Sequence, residues 1–224
     1  MVGTSDGKHK LADALTRVVA REGIAGVSVR VVAAEAGVSA GTVQHYFPTR
    51  AEMLRYAMEW TSTQVEQRLT GAPRWGDVWE WTREILLDLL PLSVDRQREH
   101  AVWLAFVAYA DTDPLLAALK RQTGLKLRGL YSRIIRERRG LPALAESTAN
   151  DGLDADSLLL QSFIDGLAMQ LADLELDEAV KLGPQMLDRY LDLAVDGVGD
   201  KTVSAALAPR GGDPVDRSPS AGKE

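Results

Sequence analysis

Apolar residues recur at intervals of three and four along most of the chain, which is the period of an amphipathic helix. No stretch alternates apolar and polar residues in the manner of a half-buried strand. The first apolar stripe comprises Leu11, Leu15, Val18 and Val19. Gly23 follows this stripe at a position that suits the end of a helix. The pattern therefore predicts an all-α protein whose first helix stops near Gly23.

Two short helices are predicted to follow, separated by the tight turn AGVS at residues 36–39. Ser28 and Ser39 stand where helix N-caps are expected. Gly37 can adopt the positive φ that such a turn needs, and Val38 can fill the angle between the two helices. In helix-turn-helix proteins, the helix after this turn lies in the major groove of DNA. This stretch is therefore the first candidate for a functional site.

Longer helices are predicted in the rest of the chain. Thr49 and Glu52 form a capping-box signature for a fourth helix over about residues 50–70. Further helices are expected at about residues 75–90, 95–110, 114–139, 154–174 and 184–197. Pro184 is interpreted as a first-turn proline of the last helix. Residues 140–152 are expected to form a loop, and the first six residues and residues 199–224 to be disordered.

Composition narrows the classes of protein without identifying one. The 224 residues are 46% apolar and 26% charged, which is enough for a buried core. The chain has no cysteine, which excludes disulfides, thiolate metal sites and a cysteine nucleophile. It has no signal-peptide pattern and no apolar run of roughly 20 residues, so we expect a cytoplasmic protein.

Charge is unevenly distributed along the chain. Residues 1–50 hold six basic and four acidic side chains, a balance of +2, whereas the whole chain carries −6. The other 174 residues therefore carry −8. A mildly basic N-terminal part suits a region that meets a polyanion, although such an imbalance also arises by chance.

The predicted third helix carries polar residues on the face opposite its apolar ones. Gln44 and His45 are expected to be exposed, and Val43 and Phe47 to be buried. Gln can form a bidentate contact with adenine, and the first-turn amides suit phosphate. The candidate DNA contacts on this helix are Ser39, Ala40, Gly41, Thr42, Gln44 and His45. The alternative is that Gln44 and His45 form only a solvated face.

The stretch SVRVVAAEAGVSAGTVQHYFPTRAEML, residues 28–54, resembles the DNA-binding signature of the TetR family of bacterial transcriptional repressors. The helix spacing, the aromatic-Phe-Pro ending and the basic residue at 50 carry this likeness. The stretch VWLAFVAYADTDPLLAAL is more loosely similar to the regulatory domain of BetI-like members. The resemblance implies a homodimer with two reading heads and a palindromic operator near its own or a neighbouring gene.

The resemblance also implies the roles of single residues. The positions that match family contacts are Ser28, Arg30, Thr42, His45, Tyr46 and Arg50. Arg30 matches a residue that contacts a base or a phosphate, and Arg50 replaces a phosphate-binding lysine. Tyr46 can equally be a packing residue under Arg50. Gln44 departs from the family, where tyrosine is common, so the operator sequence cannot be borrowed from relatives.

The longer helices are expected to bind a ligand and a second subunit. A small hydrophobic or aromatic ligand would contact Trp79, Trp103, Phe106 and Tyr109, with His100 as a polar anchor, although these aromatics can also be ordinary core. The last two helices can form a four-helix interface between subunits, or complete the core of one chain. The predicted interface residues are Leu159, Phe163, Gly166, Gln170, Leu187, Tyr190 and Leu191.

These features predict a ligand-responsive DNA-binding regulator, most simply a repressor that an effector releases. Its predicted parts are a helix-turn-helix domain (1–48), a ligand-binding and dimerisation domain (49–198) and a tail (199–224). We expect no cofactor, no metal and no membrane partner. An enzyme is disfavoured because the three histidines lie on separate elements and no HExxH, GxSxG or phosphate-binding glycine loop occurs. A scaffold that binds protein rather than DNA, and activation rather than repression, are the alternatives.

Overall fold

The computed structural model of the chain describes residues 4–71, 76–141 and 155–196. These ranges contain α-helices and no strand, which confirms the predicted all-α fold. The helices are α1 (Thr4–Glu22), α2 (Val29–Ala36), α3 (Ala40–Tyr46), α4 (Arg50–Gly71), α5 (Val78–Asp88), α6 (Val94–Ala110), α7 (Pro114–Arg138), α8 (Ala155–Ala172) and α9 (Leu176–Tyr190). A 3₁₀ turn, Ile24–Gly26, follows α1, and a π-helical turn, Leu191–Asp196, follows α9.

Hydroxyl side chains begin the two short helices, as the sequence predicts. Ser28 Oγ accepts a hydrogen bond from the Val31 amide at 3.3 Å, and Ser39 Oγ accepts one from the Thr42 amide at 3.1 Å. Gly37 ends α2 with φ of 66°, in the left-handed region that glycine occupies without strain. These local bonds set the angle between α2 and α3.

The start of α4 is held by the predicted capping box. The Glu52 amide donates to Thr49 Oγ1 at 3.2 Å, and the Thr49 amide donates to Glu52 Oε2 at 3.3 Å. Two amide groups that the helix leaves without a backbone acceptor are therefore satisfied by side chains. Because only residues 47–49 separate α3 from α4, the position of α4 determines the position of α3.

Two apolar cores stabilise the fold. The head core joins α1, α2, α3 and the first half of α4 to parts of α6 and α7, with Val43, Leu54 and Phe106 among its buried members. The body core joins the end of α4 to α5, α7, α8 and α9, with Ile134 and Leu160 among its buried members. Helix α4 contributes to both cores, so it connects the N-terminal helices to the rest of the molecule.

The prediction for the last helix is wrong at its start. Helix α9 begins at Leu176 and Pro184 lies inside it, not in its first turn. Proline lacks the amide that would bond the carbonyl of Val180, but Val180 lies on the exposed side, where water can bond that carbonyl. Ala179, Gly183 and Leu187 are buried at intervals of four, so one continuous apolar stripe passes through the proline.

The predictions for the chain ends and the long loop can be compared with the structure only in part. Helix α1 begins at Thr4, so residues 4–6 are helical rather than disordered as predicted. Residues 1–3, most of the predicted loop and the predicted tail at 199–224 lie outside the described residues. Among the helices described, none has the length and apolarity that crossing a membrane requires.

Candidate nucleic-acid interface and ligand cavity

Helix α3 presents a polar face to solvent. Its exposed residues are Ala40, Gly41, Gln44 and His45. Val43 and Phe47 lie on the opposite side and are buried in the head core, as predicted. The exposure of this face satisfies the geometric condition for reading DNA, while the individual contacts stay a prediction.

The hydroxyls at the start of α3 bond to each other. Ser39 Oγ and Thr42 Oγ1 are 2.9 Å apart, and Ser39 Oγ also accepts from the Thr42 amide. Thr42 is half-buried, whereas Ser39 is exposed. A serine hydroxyl has one donor and two acceptor positions, so capping the helix does not use all of its capacity. Ser39, and Ser28 in the same role on α2, can therefore still contact a phosphate.

Tyr46 packs against α1 and the head core. A Cβ atom built on Gly7 of α1 would lie 2.5 Å from the Tyr46 hydroxyl, so the two helices approach closely there. The ring of His45 contacts Tyr46 edge-on, with the ring centroids 5.4 Å apart. Tyr46 is therefore a packing residue, while its predicted place under Arg50 and its predicted DNA contact stay untested.

Arg50 acts as a structural clamp within the chain, and its predicted phosphate contact stays a prediction. Its Nη2 donates to the carbonyl of Ile24 at 2.5 Å and its Nε to the carbonyl of Val27 at 3.1 Å. Its Nη1 lies 3.4 Å from the hydroxyl of Tyr109 on α6. The guanidinium donors therefore point toward the chain itself, where they bond carbonyls of the 3₁₀ turn and of the residue that follows it.

Arg30, unlike Arg50, is exposed and does not bond the rest of the described chain. It is exposed in the first turn of α2 and makes no hydrogen bond or ion pair with any residue that the structure describes. Nearby, Glu35 binds Arg17 at 2.7 Å and Arg21 at 3.1 Å. These hydrogen bonds, first from Arg17 and then from Arg21, lower the pKa of Glu35. The acidic group of α2 is therefore paired, while its basic group is available to DNA.

A cavity of about 830 Å³ lies between α4, α5, α6 and α7. Its apolar wall includes Val65, Leu69, Trp81, Trp103, Leu127 and Leu130. Pockets of roughly 300–1,000 Å³ with mainly apolar walls hold drug-sized ligands. Because α4 forms one wall, a ligand in this cavity would contact the helix that carries α3.

The cavity corrects most of the predicted ligand contacts. Among the five predicted residues, only Trp103 lines this cavity. Phe106 is fully buried in the head core, and Tyr109 contacts Arg50. Trp103 and Phe106 are one helical turn apart on α6, so the period alone could not tell that they face different surroundings.

Trp79 and His100 also lie away from the cavity. Trp79 is 39% exposed and the guanidinium carbon of Arg138 lies 3.9 Å from its ring centroid, a cation–π contact that joins α5 to α7. His100 is half-buried, and burial lowers the pKa of its imidazole. Neither side chain lines the cavity, and the predicted ligand contacts of both stay untested.

The cavity wall formed by α7 was not predicted from the sequence. Gly129 and Ser132 both line the cavity and stand one helical turn apart. A Cβ atom at Gly129 would meet nothing within 4 Å, and Ser132 is only 8% exposed. The signal in the sequence is the pair of small residues at a spacing of three inside a long helix, which leaves room on one face.

Four charged side chains join α4 to α5 and α6. Arg68 binds both oxygens of Glu99 at 3.0 Å and also bonds Asp88. Arg96 binds Asp88 at 3.0 Å and Glu99 at 2.8 Å. Glu99 lines the cavity, so this ion-pair ring is part of the cavity wall. Helix α4 is therefore held by an arginine at each end, Arg50 toward the head and Arg68 toward the body.

The outer face of α8 and α9 carries exposed apolar side chains. Leu159 is 61% exposed, and Leu158, Met169, Val180 and Met186 are exposed as well. Gly166 and Gln170, which were predicted at the interface, are exposed, and a Cβ atom on Gly166 would meet nothing within 4 Å. Such a face has the character of a subunit interface, although no partner chain is present to test it.

Two of the predicted interface residues belong to the chain's own core. Leu187 and Leu191 are buried among residues of the body core, so they cannot present a face to a partner as predicted. Phe163 and Tyr190 are half-buried and stack on each other, with ring centroids 3.9 Å apart. The apolar stripe of α9 faces inward because α9 packs on α5 and α8 of the same chain.

A three-helix head whose exposed third helix follows a tight turn is typical of helix-turn-helix DNA-binding domains. Residues 11–57 match the family described as bacterial regulatory proteins of the tetR family. Residues 79–196 match the family described as BetI-type transcriptional repressor, C-terminal. The chain therefore belongs to the TetR family of transcriptional regulators and has a DNA-binding domain.

Known relatives agree with this membership. The chain is 38% identical over 104 residues to the regulator PksA of Bacillus subtilis (strain 168), which covers 46% of this chain and 51% of PksA. It is 32% identical over 141 residues to the regulator BetI of Vibrio vulnificus (strain YJ016), which covers 60% of this chain and 68% of BetI. The match thus spans about half the length of PksA and two thirds of BetI. These relatives are transcriptional regulators, not enzymes.

Solved structures match a longer part of this chain than the relatives above do. A transcriptional regulator from Rhodococcus sp. Rha1 is 32% identical, with a TM-score of 0.71 over 85% of this chain and 96% of that chain. A regulator from Saccharomonospora viridis, crystallised in complex with choline, is 20% identical, with a TM-score of 0.69 over 84% and 97% of the two chains. At 20% identity the second likeness establishes the fold alone.

Proposed function

We infer that this chain is a ligand-responsive repressor that binds a palindromic operator as a homodimer and leaves it when a small hydrophobic or aromatic effector binds. The observation that carries this proposal is the position of α4. It lines the cavity through Val65 and Leu69, and three residues separate its start from the exposed reading helix. A change in the cavity therefore reaches α3 through one rigid element.

The dimer is proposed to form through the exposed apolar face of α8 and α9. Two-fold symmetry would place two copies of α3 on one side of a duplex, and these must lie about 34 Å apart, or a multiple of that, to enter successive major grooves. In this proposal residues 1–48 read DNA and residues 49–198 bind effector and partner. Gln44 and Arg30 are the residues that we assign to base and phosphate contacts.

Release of DNA requires an effector that binds more tightly to a conformation in which the two α3 helices are not about 34 Å apart. Shifting the population from 1:99 to 99:1 needs a difference in binding free energy of about 5.5 kcal/mol between the two conformations. The ion-pair ring of Arg68, Asp88, Arg96 and Glu99 supports this role, because it fixes the end of α4 farthest from the head. A ligand between α4 and α7 would then displace mainly the end that carries α3.

The proposal is tested by a mobility-shift assay with the DNA upstream of the gene that encodes this chain. We expect a complex of two chains per operator, and we expect the Gln44→Ala variant to bind the same fragment more weakly. If the wild-type dimer shifts no upstream fragment, the protein-binding scaffold becomes the better interpretation. If a fragment is shifted, the genes next to that operator would identify candidate effectors for the release assay.

A second candidate for the effector is a small quaternary ammonium ion. The Saccharomonospora viridis structure contains choline, and two tryptophans, Trp81 and Trp103, line the cavity of this chain. Aromatic faces attract such cations. Adding choline to the mobility-shift assay tests this candidate, and release of the operator at micromolar choline would support it. Choline would fill only a small part of the 830 Å³.

A further inference from the structure

We propose that the cavity takes a large, uncharged and mainly apolar molecule that carries a carbonyl or hydroxyl oxygen. We assign recognition of that oxygen to a notch on α7 formed by Gly129 and Ser132. This inference rests on the proposed function, because the same cavity is the effector site. It names the chemical class of the effector and two residues that select it.

The size of the cavity sets the first condition. A volume of about 830 Å³ lies in the upper part of the range for sites that bury drug-sized ligands. Leucine, valine and tryptophan side chains from α4, α5, α6 and α7 surround this space. A ligand gains binding free energy here in proportion to the apolar surface that it buries. A small polar molecule would leave most of the apolar wall without a partner.

The charged side chains of the wall set the second condition. Glu66 and Lys126 form an ion pair at 2.6 Å, and Glu99 is bound by Arg68 and Arg96. The other charged residues of the wall either have their own interactions or are exposed at its edge: Arg136, Glu137, Glu59 and Arg133. A charged ligand would therefore enter a site whose charges are already balanced or solvated, and the desolvation of its own charge would not be compensated.

Gly129 indicates where the ligand reaches α7. A glycine inside a helix costs roughly 1 kcal/mol relative to alanine, because its backbone loses more freedom on folding. Packing does not require this cost, since a Cβ atom at position 129 would meet nothing within 4 Å. A larger side chain at this position would extend into the cavity. The glycine therefore keeps open a space that the protein itself does not use.

Ser132 supplies the polar group beside that space. Its hydroxyl oxygen is buried and has no hydrogen-bond partner among the residues that the structure describes. A helical serine usually bonds a carbonyl of the preceding turn, and a buried hydroxyl without a partner is unfavourable. Rotation about χ1 would turn the hydroxyl toward the cavity without breaking a bond. Because a hydroxyl both donates and accepts, it can pair with a carbonyl or with another hydroxyl.

The test uses the full-length dimer and prodan, an uncharged naphthyl ketone whose emission moves to the red when its carbonyl accepts a hydrogen bond. We expect prodan to bind the wild type, and Gly129→Leu to abolish binding because leucine fills the notch. Gly124→Leu is the matched control, since it makes the same change in the same helix at a position outside the cavity wall. This control should bind prodan as the wild type does.

The role of Ser132 is tested with the same probe. Ser132→Ala should weaken prodan binding about tenfold and move the emission of the bound probe to the blue, because one hydrogen bond is lost. Unchanged affinity and emission in Ser132→Ala, or prodan binding in Gly129→Leu within twofold of wild type, would overturn the proposal. Thermal denaturation of each variant shows whether it is folded, and substitution of Gly129 by Ala gives a smaller change if the leucine variant is not.

Failure of this inference can be distinguished from failure of the proposed function. Prodan binding is measured without DNA, and the mobility shift is measured without prodan. A wild-type protein that binds prodan as described but shifts no upstream DNA would contradict the repressor proposal and support the cavity assignment. A protein that shifts its operator but does not bind prodan would support the repressor and overturn the cavity assignment.

Discussion

The head (α1–α3) and the body (α5–α9) use their polar side chains in different ways. In the head, side chains such as Ser28 and Ser39 bond backbone groups at helix ends, and Arg50 from the start of α4 does the same. In the body, the charged ring around Arg68 forms part of a cavity wall, and Ser132 in the same wall has a buried hydroxyl that bonds none of the described residues. The head is therefore a rigid reading surface, whereas the body is built around a space that a ligand can fill.

Helix α4 connects the DNA-binding head to the body that contains the cavity. Helix α4 has 22 residues, so at 1.5 Å per residue it is about 33 Å long. The clamp of Arg50 makes its first turn move with the head, and the ring of Arg68 ties its last turns to α5 and α6. In the proposed mechanism, a small rotation of α4 inside the body would become a larger displacement at α3.

The largest expected effect concerns the outer face of the body. Gly166→Arg should dissociate the dimer without unfolding the chain, because a side chain there meets nothing in its own protomer. Loss of the second head should lower operator affinity by about 100-fold or more, since both half-sites are no longer bound together. Sedimentation velocity gives the mass of the particle, and fluorescence anisotropy gives the affinity.

The control for this experiment is Gly71→Arg. Gly71 is exposed at the end of α4, and a Cβ atom there also meets nothing within 4 Å. This variant should stay dimeric and bind the operator as the wild type does. A dimeric Gly166→Arg protein would show that the apolar face of α8 and α9 is not the subunit interface.

The next largest effect separates the two arginines of the head. Arg50→Ala should lower the free energy of unfolding by about 2 kcal/mol, because it removes charged hydrogen bonds to two backbone carbonyls. Arg30→Ala should leave stability unchanged and reduce the slope of log affinity against log salt by about one. Urea denaturation and operator binding at several salt concentrations measure the two quantities. A change in salt slope from Arg50→Ala in folded protein would support its predicted phosphate contact.

Contacts between neighbouring residues could be predicted from the sequence, whereas contacts between separate elements could not. In the head, Ser28, Gly37 and Ser39 act on their immediate neighbours, so a pattern of single residues was sufficient to predict both short helices. The clamp formed by Arg50 was not predicted, because its partners Ile24 and Val27 lie on a different element. Its inward direction depends on packing between elements, which no local pattern contains.

In the body, periodicity located the helices but not the space between them. Trp103 and Phe106 belong to one helix, yet the first lines the cavity and the second is part of the head core. The rule for first-turn prolines failed at Pro184, because burial of the apolar stripe on α9 outweighs one missing hydrogen bond. The cavity itself depends on the small residues Gly129 and Ser132, whose effect appears only when four helices are assembled.

A smaller effect is expected at the reading surface itself. Gln44→Ala should weaken binding to a mapped operator about tenfold and relax the preference at one base pair, since one bidentate contact is lost. Affinity for unrelated DNA of the same length should not change, because Gln44 is uncharged and exposed. Anisotropy titrations with operator variants measure both quantities. An unchanged affinity for the operator would mean that Gln44 lies on a solvated face and reads no base.

The smallest effect tests whether many weak local contacts hold the head rigid. Glu35→Gln removes the ion pairs to Arg17 and Arg21, which tie α2 to α1 at the surface. Hydrogen bonds from Arg17 and then Arg21 lower the pKa of Glu35 below its ordinary value of 4.5. Their contribution to stability is therefore present above that pH and is lost as the pH falls through the lower pKa of the folded state.

The difference in unfolding free energy between wild type and Glu35→Gln should consequently be small at neutral pH, shrink as the pH falls below 4.5, and decrease in high salt. A double-mutant cycle with Arg17→Gln isolates the coupling of the pair. Operator preference should be unaffected, because the capped turn between α2 and α3 stays intact. A loss of stability as large as that of Arg50→Ala would contradict the view that the surface pairs contribute little and that the half-buried Arg50 clamp contributes more.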